Sequence, residues 1–257
     1  LADATVYPAE VVASELQQVE SAISDPLTSA TDLESLGLRQ QSVYRAYGRL
    51  DLQGQSDVLV AVDDAVLKVA LPMTSAGASL RNLSGSSVAG EFPSWTVRQP
   101  VPVDQLKSYY VEAGAQYGIP WTTLAAINYV ETRFGRIVGP SNAGAIGPMQ
   151  FLASSWNKYG LGGDITNDRD AIFAAANFLA QHDAANDLPR AIYAYNPSDE
   201  YVTAIVNYMT VLESDPRRLN AMYGWQVIVR LQTGDYALPA GWTKPDPAAT
   251  TSTTATE

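Results

Sequence analysis

The stretch from Val130 to Phe151, VETRFGRIVGPSNAGAIGPMQF, carries one carboxylate, Glu131, four glycines and the pair Gln150 and Phe151. In PWTTLAAINYVETRFG, Leu124, Ile127 and Glu131 are spaced three and four apart, which sets them on one helix face. The acid thus points with the apolar stripe, away from bulk water. A carboxylate there either finds a partner or has its pKa raised by desolvation. A raised pKa suits a general acid near neutral pH. The competing assignment is an ion pair with Arg133 or Arg136, or a solvated helix end. Gly139, Gly144 and Gly147 allow backbone turns closed to other residues, so the loop can double back and set Gln150 beside Glu131. Gln150 offers one acceptor and two donors, suited to an amide or a sugar hydroxyl. Phe151 offers an apolar wall. The alternative for this turn is an ordinary connection whose Gln caps the next helix.

Other chemistries are thinly supplied. There is no Cys, which removes disulfides, thiol nucleophiles and Cys-based zinc sites. The one His, His182, ends a predicted helix in LAQHDAAND, with no G-x-S-x-G elbow to accompany it. The net charge of −11 argues against nucleic acid and against docking on anionic lipid. No apolar run approaches the ~20 residues that span a bilayer, so no membrane insertion is expected. No secretory signal is visible, and a chain starting at Leu1 without Met reads as processed or trimmed. Carboxylate chemistry remains.

The elements that must position Glu131 are helical, and the fold class is mainly α. Val12, Leu16, Val19 and Ile23 form a helix stripe that Asp25-Pro26 stops. Thr31 and Glu34 have capping-box spacing, a second helix is predicted over 38–50, and Leu59, Val62, Val66 and Val69 mark a third that Pro72 ends. Residues 1–72 thus read as a helical appendage or spacer. The Ser/Gly/Pro-rich stretch 73–100 reads as a linker, with a domain boundary near residue 100. Within 101–240, Asp104 is a candidate N-cap, and Leu106, Tyr110, Ala113 and Tyr117 form a stripe closed by Gly118. Pro120 opens the Glu131 helix. Further helices are predicted over 171–182, capped by Asp170, and over 199–212. Strand signals are few. The Pro/Thr/Ala-rich tail 241–257 reads as disordered.

Four motifs then occur in order: ETRFG, SNAGAIGPMQF, GGDITNDRDAIFAAANFLA and AYNPSDEYV. The set resembles the lytic transglycosylases of bacterial cell walls, most of all the membrane-bound B type, over roughly residues 101–240. The resemblance implies a goose-type lysozyme-like helical core. It implies peptidoglycan glycan strands as substrate, no cofactor, an extracytoplasmic location and a monomer. It assigns Glu131 as the single catalytic acid, and Ser141, Gln150, Phe151, Tyr195, Asn196 and Tyr201 to the sugar-binding cleft. The chain departs from the pattern in three places. Thr132 stands where a Ser is usual after the acid. Nine residues separate Glu131 from Ser141, where the B type has a long insertion. GGDITNDRD lacks the Asp/Gly run of a calcium loop, so Asp164, Asp168 and Asp170 read as caps and no metal is expected. Without the other motifs, Ile192, Tyr193 and Tyr195 would read as core residues at a helix end and Asn196 as a turn residue. The rival functions are a goose-lysozyme-like hydrolase pairing Glu131 with an Asp, and a non-catalytic peptidoglycan-binding module.

Overall fold

The computed structural model describes residues 5–85 and 90–245. Four N-terminal helices come first: α1 (Ala9–Ser24), α2 (Ala30–Tyr47), α3 (Leu52–Ala61) and α4 (Asp64–Ser84). Three begin at a side-chain cap that satisfies an orphan backbone N–H. Ser29 accepts from Asp32, Asp51 from Gly54 and Asp63 from Val66. The expected Thr31–Glu34 box is therefore corrected to Ser29, and the expected third helix is two, because the Asp63 cap restarts the chain as α4. Pro72 does not end it. α4 continues to Ser84, so the first part of the expected 73–100 linker is helix. An interior Pro loses a backbone bond at a cost of about 3 kcal/mol. Here the following turns stay helical because Met73, Ala76 and Ser79 remain buried.

Seven more helices follow: α5 (Val103–Tyr117), α6 (Trp121–Thr132), α7 (Ala153–Tyr159), α8 (Asp168–Gln181), α9 (Leu188–Tyr195), α10 (Asp199–Ser214) and α11 (Arg218–Tyr223). α5 starts at Pro102, with Asp104 in its first turn and not at its cap. α8 starts three residues before the expected span. Its cap is Asn167, whose side chain accepts from the Asp170 N–H, so Asp170 is not the cap. α6 is the central helix. Every residue from Thr122 to Tyr129 is buried, by α5, α8 and α10 around it. A helix buried on all sides needs apolar or internally satisfied residues all round.

Two antiparallel pairs complete the described residues. β1 (Thr96–Val97) pairs with β2 (Ile137–Val138), and β3 (Val227–Leu231) pairs with β4 (Gly234–Leu238). The expected disorder of the tail is corrected at its start. Gly241 N–H donates to Val97 O, Val97 N–H donates to Trp242 O, and the Trp242 ring packs on Phe92 and Trp95. Residues 86–89 of the expected linker and 246–257 of the expected tail lie outside the described residues.

The N-terminal helices share one continuous core with the rest, running from Val12 on α1 to Trp225 beyond α11. A buried polar knot ties the two parts. Arg218 donates to Glu20 at 2.6 Å, and Gln40 and Tyr44 donate to the other Glu20 oxygen at 2.8 and 2.7 Å. Trp225 Nε1 donates to Gln40 at 3.0 Å. Backbone contact is equally close: a Cβ on Gly37 would lie 1.9 Å from the Ala221 carbonyl oxygen. Arg218→Leu should lower stability by about 3–5 kcal/mol, because it leaves Glu20 charged, buried and without its cation. Chemical denaturation measures this, and Glu20→Leu added to Arg218→Leu should recover much of the loss.

Candidate active site

Glu131 lies in the last turn of α6, and the backbone beyond it is held in an uncommon shape. Arg133, Phe134 and Gly135 follow with φ of 53°, 61° and 77°, three left-handed residues in a row. For Arg133 and Phe134 this costs about 1–2 kcal/mol each. The surroundings enforce it. Phe134 N–H donates to Asn128 O, and the Phe134 ring is buried against Tyr129 and Tyr223. Gly135 N–H donates to the Thr132 hydroxyl at 2.9 Å, and Arg98 donates to Gly135 O at 2.6 Å. The Arg98 guanidinium also grips both oxygens of Asp168 at 2.6 Å. The chain therefore reverses immediately after the acid.

That reversal returns the glycine turn to α6. Ile146 and Phe151 pair as a bridge around Gly147, Pro148, Met149 and Gln150. Gly147 has a φ of 78°, and a Cβ on it would lie 2.0 Å from Ile165 O, so no other residue fits. The Pro148 carbonyl accepts from Asn128 Nδ2 at 2.8 Å and from Thr132 Oγ1 at 2.6 Å. Asn128 is itself oriented by the Tyr110 hydroxyl at 2.6 Å. The Met149 carbonyl accepts from the Tyr195 hydroxyl at 2.6 Å, which ties α9 to the same turn. The Thr in place of Ser thus supplies a hydroxyl that braces the turn.

The carboxyl of Glu131 has one hydrogen-bond partner among the described residues, Tyr201 on α10, whose hydroxyl donates to Oε1 at 2.6 Å. The residue keeps a partial opening to solvent. Its carboxyl nonetheless sits deep enough that desolvation raises the pKa to about 7, with the Tyr201 bond pulling the other way. Burial, and then the Glu131 charge, push Tyr195 and Tyr201 well above the usual tyrosine value, so both stay protonated donors. The nearby arginines do not pair with the acid. Arg133 lies over the Tyr129 ring at 4.2 Å and donates to Tyr129 O. Arg136 donates to Tyr223 O and lies over the Tyr223 ring at 4.8 Å.

Glu131, Tyr195, Tyr201 and the Met149–Gln150 turn therefore form one constellation. Gln150, at a φ of 52°, is half-buried and donates to Gly147 O at 3.0 Å, leaving its amide oxygen as an acceptor. Asn196 is half-buried at the end of α9, with its side-chain amide without a partner among the described residues. Ser141 is exposed and closes its own turn, accepting from Ala145 N–H at 3.1 Å, with no hydrogen bond to Glu131. Phe151 is buried, edge-on to Tyr195, Trp156 and Phe178. It backs the Tyr195 ring and presents no open wall. His182 stacks on Phe178 at 4.0 Å, with its Nδ1 at 2.7 Å from Phe178 O.

The acidic run is occupied by structural bonds. Asp164 accepts from Thr166, Asp170 accepts from Asp164 N–H, and Asp168 pairs with Arg98. Among the described residues, no group of three or more His, Cys, Asp or Glu side chains could hold a metal ion. The braces Tyr110, Asn128 and Arg98 escape the sequence reading. The one available signal was a polar Asn128 four residues before Thr132 in an otherwise apolar helix. Tyr201→Phe removes the one donor that favours the charged form of Glu131. A reaction driven by protonated Glu131 should then keep its alkaline limb to higher pH than the wild-type value near 7, while Tyr195→Phe moves it less. Initial rates across pH measure the difference.

Comparison with known proteins adds a partial likeness to this geometry. The family model for the Transglycosylase SLT domain matches residues 139–189. That span contains Ser141, the glycine turn with Gln150 and Phe151, and α7 and α8; Glu131, Tyr195, Asn196 and Tyr201 lie outside it. Membrane-bound lytic murein transglycosylase F of Thiobacillus denitrificans is 32% identical over 83 residues, which is 32% of this chain and 17% of that protein. The chain thus aligns with only a minor part of its relative's length, and the likeness does not single out the B type. No solved structure matches. The mainly α architecture is the one expected for such a domain.

Proposed function

We propose that this chain is a lytic transglycosylase of bacterial peptidoglycan that works with Glu131 as its one acid and base. The substrate is the β-1,4 bond between N-acetylmuramic acid and N-acetylglucosamine, and the site of action is the cell envelope. Protonated Glu131 gives its proton to the glycosidic oxygen as the bond from the muramoyl C1 breaks. The muramoyl N-acetyl carbonyl steadies the developing cation. The Glu131 carboxylate then takes the proton of the same sugar's C6 hydroxyl, whose oxygen closes onto C1. Glu131 ends protonated, no water is consumed, and the product end is a 1,6-anhydro ring. Tyr201 fixes the carboxylate. Tyr195, Asn196, Gln150 and Ser141 are assigned to holding the sugar, so that internal attack outruns hydrolysis.

The observation that carries this reading is the isolation of Glu131. It is desolvated to a pKa of about 7, bonded to Tyr201, and no other carboxylate contributes to its shift. A glycosidase that activates water normally uses a second carboxylate across the scissile bond. Asp168 is engaged by Arg98, Asp164 by Thr166 and Asp170 by the Asp164 N–H. Mass spectrometry of digested murein tests the proposal. The main products should carry anhydro ends, lighter by one water than hydrolytic ends. A majority of free reducing ends would instead favour the hydrolase reading and require an Asp to reach the sugar.

A further inference from the structure

A cavity of about 780 Å³ is lined by α2 and α4 of the N-terminal helices, by Arg133 and Tyr208, and by Trp225, Ile228 and Arg230. That is within the usual size range of ligand sites. Glu131 does not line it, but Arg133, two residues on, does. We propose that this cavity binds the carboxylates of the peptide stems carried by the glycan strand, an inference that rests on the peptidoglycan reading above.

The charge pattern points to an anion. The chain carries a net charge of −11, yet four arginines and no Asp or Glu line this cavity. Two of them, Arg45 and Arg230, share Asp235. Arg133 is bonded only to Tyr129 O and that ring, with no carboxylate partner among the described residues. Arg81 has no hydrogen bond or ion pair among them. Its guanidinium lies where two glycines leave room: a Cβ would sit 3.1 Å from Nη1 at Gly48 and 3.4 Å at Gly77. Burial and the neighbouring Arg230 charge both lower the Arg81 pKa, while Arg81 and Arg133 both act on the Tyr208 hydroxyl. Arg81 is exposed and Arg133 half-buried; neither has a carboxylate partner among the described residues, and the Arg230 charge lies beside Arg81. A bound anion relieves that repulsion, and the planar guanidinium fork matches a carboxylate.

The position suits a peptide attached to a strand lying on Glu131. Asn82 lines the cavity and donates to Glu200 at 3.0 Å, and the next residue, Tyr201, donates to Glu131 at 2.6 Å. One turn of α10 thus joins the cavity wall to the acid. Tyr44, Tyr47 and Trp225 give the same cavity apolar walls for the remainder of a peptide.

Calorimetric titration with a muramoyl tetrapeptide and with its fully amidated counterpart tests this. Wild type should bind the acid form about tenfold or more tightly than the amide, the effect of a charge-assisted bond. Arg81→Gln should erase that difference, and Arg81→Lys should restore part of it. On strands, Arg81→Gln should raise KM for peptide-bearing glycan and leave cleavage of amidase-stripped glycan unchanged. Equal wild-type affinity for acid and amide, or an unaltered preference in Arg81→Gln, overturns the proposal. If wild type cleaves neither kind of strand, the transglycosylase reading fails, while the calorimetric contrast still decides the cavity.

Discussion

Glu131→Gln is expected to lower turnover on peptidoglycan by about a hundredfold or more, the usual loss when a positioned general acid is removed. The variant keeps the shape of the side chain, so it should fold. It should also change stability with pH in a defined direction. The ordinary value of the carboxyl is 4.5 and its value in the fold is about 7. Below 4.5 the group is protonated folded or unfolded, and its burial carries no ionic penalty. As pH rises toward 7 the unfolded chain releases the proton while the folded chain holds it. Stability is therefore lost across that window, and the loss is complete above it. Two and a half pKa units correspond to roughly 3 kcal/mol. Glu131→Gln has no proton to release, so it should be more stable than wild type by up to about that amount at mildly alkaline pH, and nearly equal at about pH 4. Urea unfolding at both pH values, beside murein solubilisation, reads the two effects on the same samples. Retention of more than a tenth of the activity would remove Glu131 from the central role. A stability gain without pH dependence would mean that the acid is not desolvated.

The sequence made the helices legible where burial follows a period. The stripes on α1 and α5, the Gly118 stop and the extent of α10 were all readable, because the side chains that pack recur every three or four residues. The partnering of Glu131 was not readable, since Tyr201 lies 70 residues away and only the packing of α10 on α6 brings them together. Local signals misled where tertiary contact outweighed them. Pro72 and a Ser/Gly/Ala-rich sequence predict a break, yet small residues suit close packing: Asn207 on α10 reaches Ser75 on α4 at 3.1 Å. The Gly77 that looked like linker leaves room for the Arg81 head group. The β3–β4 hairpin went unread, although VIVRL and GDYAL flank a short Gln-Thr turn, because five-residue strands carry a weak pattern in a chain of long helices. The bracing of the glycine turn by Asn128 and Thr132 is invisible for another reason. Two polar residues inside a buried helix declare a need for partners, and their spacing does not say which carbonyl will meet it.

Deleting residues 1–100 should abolish the cooperative fold and reduce glycan cleavage to background, although every expected site residue lies beyond the deletion. Read from motifs alone, 101–243 looks self-sufficient. The packing argues otherwise on two independent grounds. First, α2 and α4 cover apolar surface of the remaining fold. Tyr44 packs on Trp225, Gly37 abuts the Ala221 carbonyl, and α4 lies along α10. Each large apolar side chain returned to water costs about 1.5–3 kcal/mol, and a domain holds only ~5–15 kcal/mol in all, so a handful of such losses is enough. Second, the deletion removes Arg98 and β1. Arg98 holds the Gly135 carbonyl and Asp168, and β1 pairs with β2 just past the strained reversal that follows Glu131. Without them the left-handed run at Arg133 and Phe134 loses part of what enforces it. A fragment of 90–245 separates the causes, since it restores Arg98 and β1 but not the helices. It should also fail to unfold cooperatively in calorimetry, because the larger loss is the uncovered core. If instead 101–243 proves folded and cleaves peptidoglycan strands, the N-terminal helices are a dispensable appendage. The carboxylate cavity they help to build would then be lost from a working enzyme, and its effect on strand choice could be read by comparing the two chains directly.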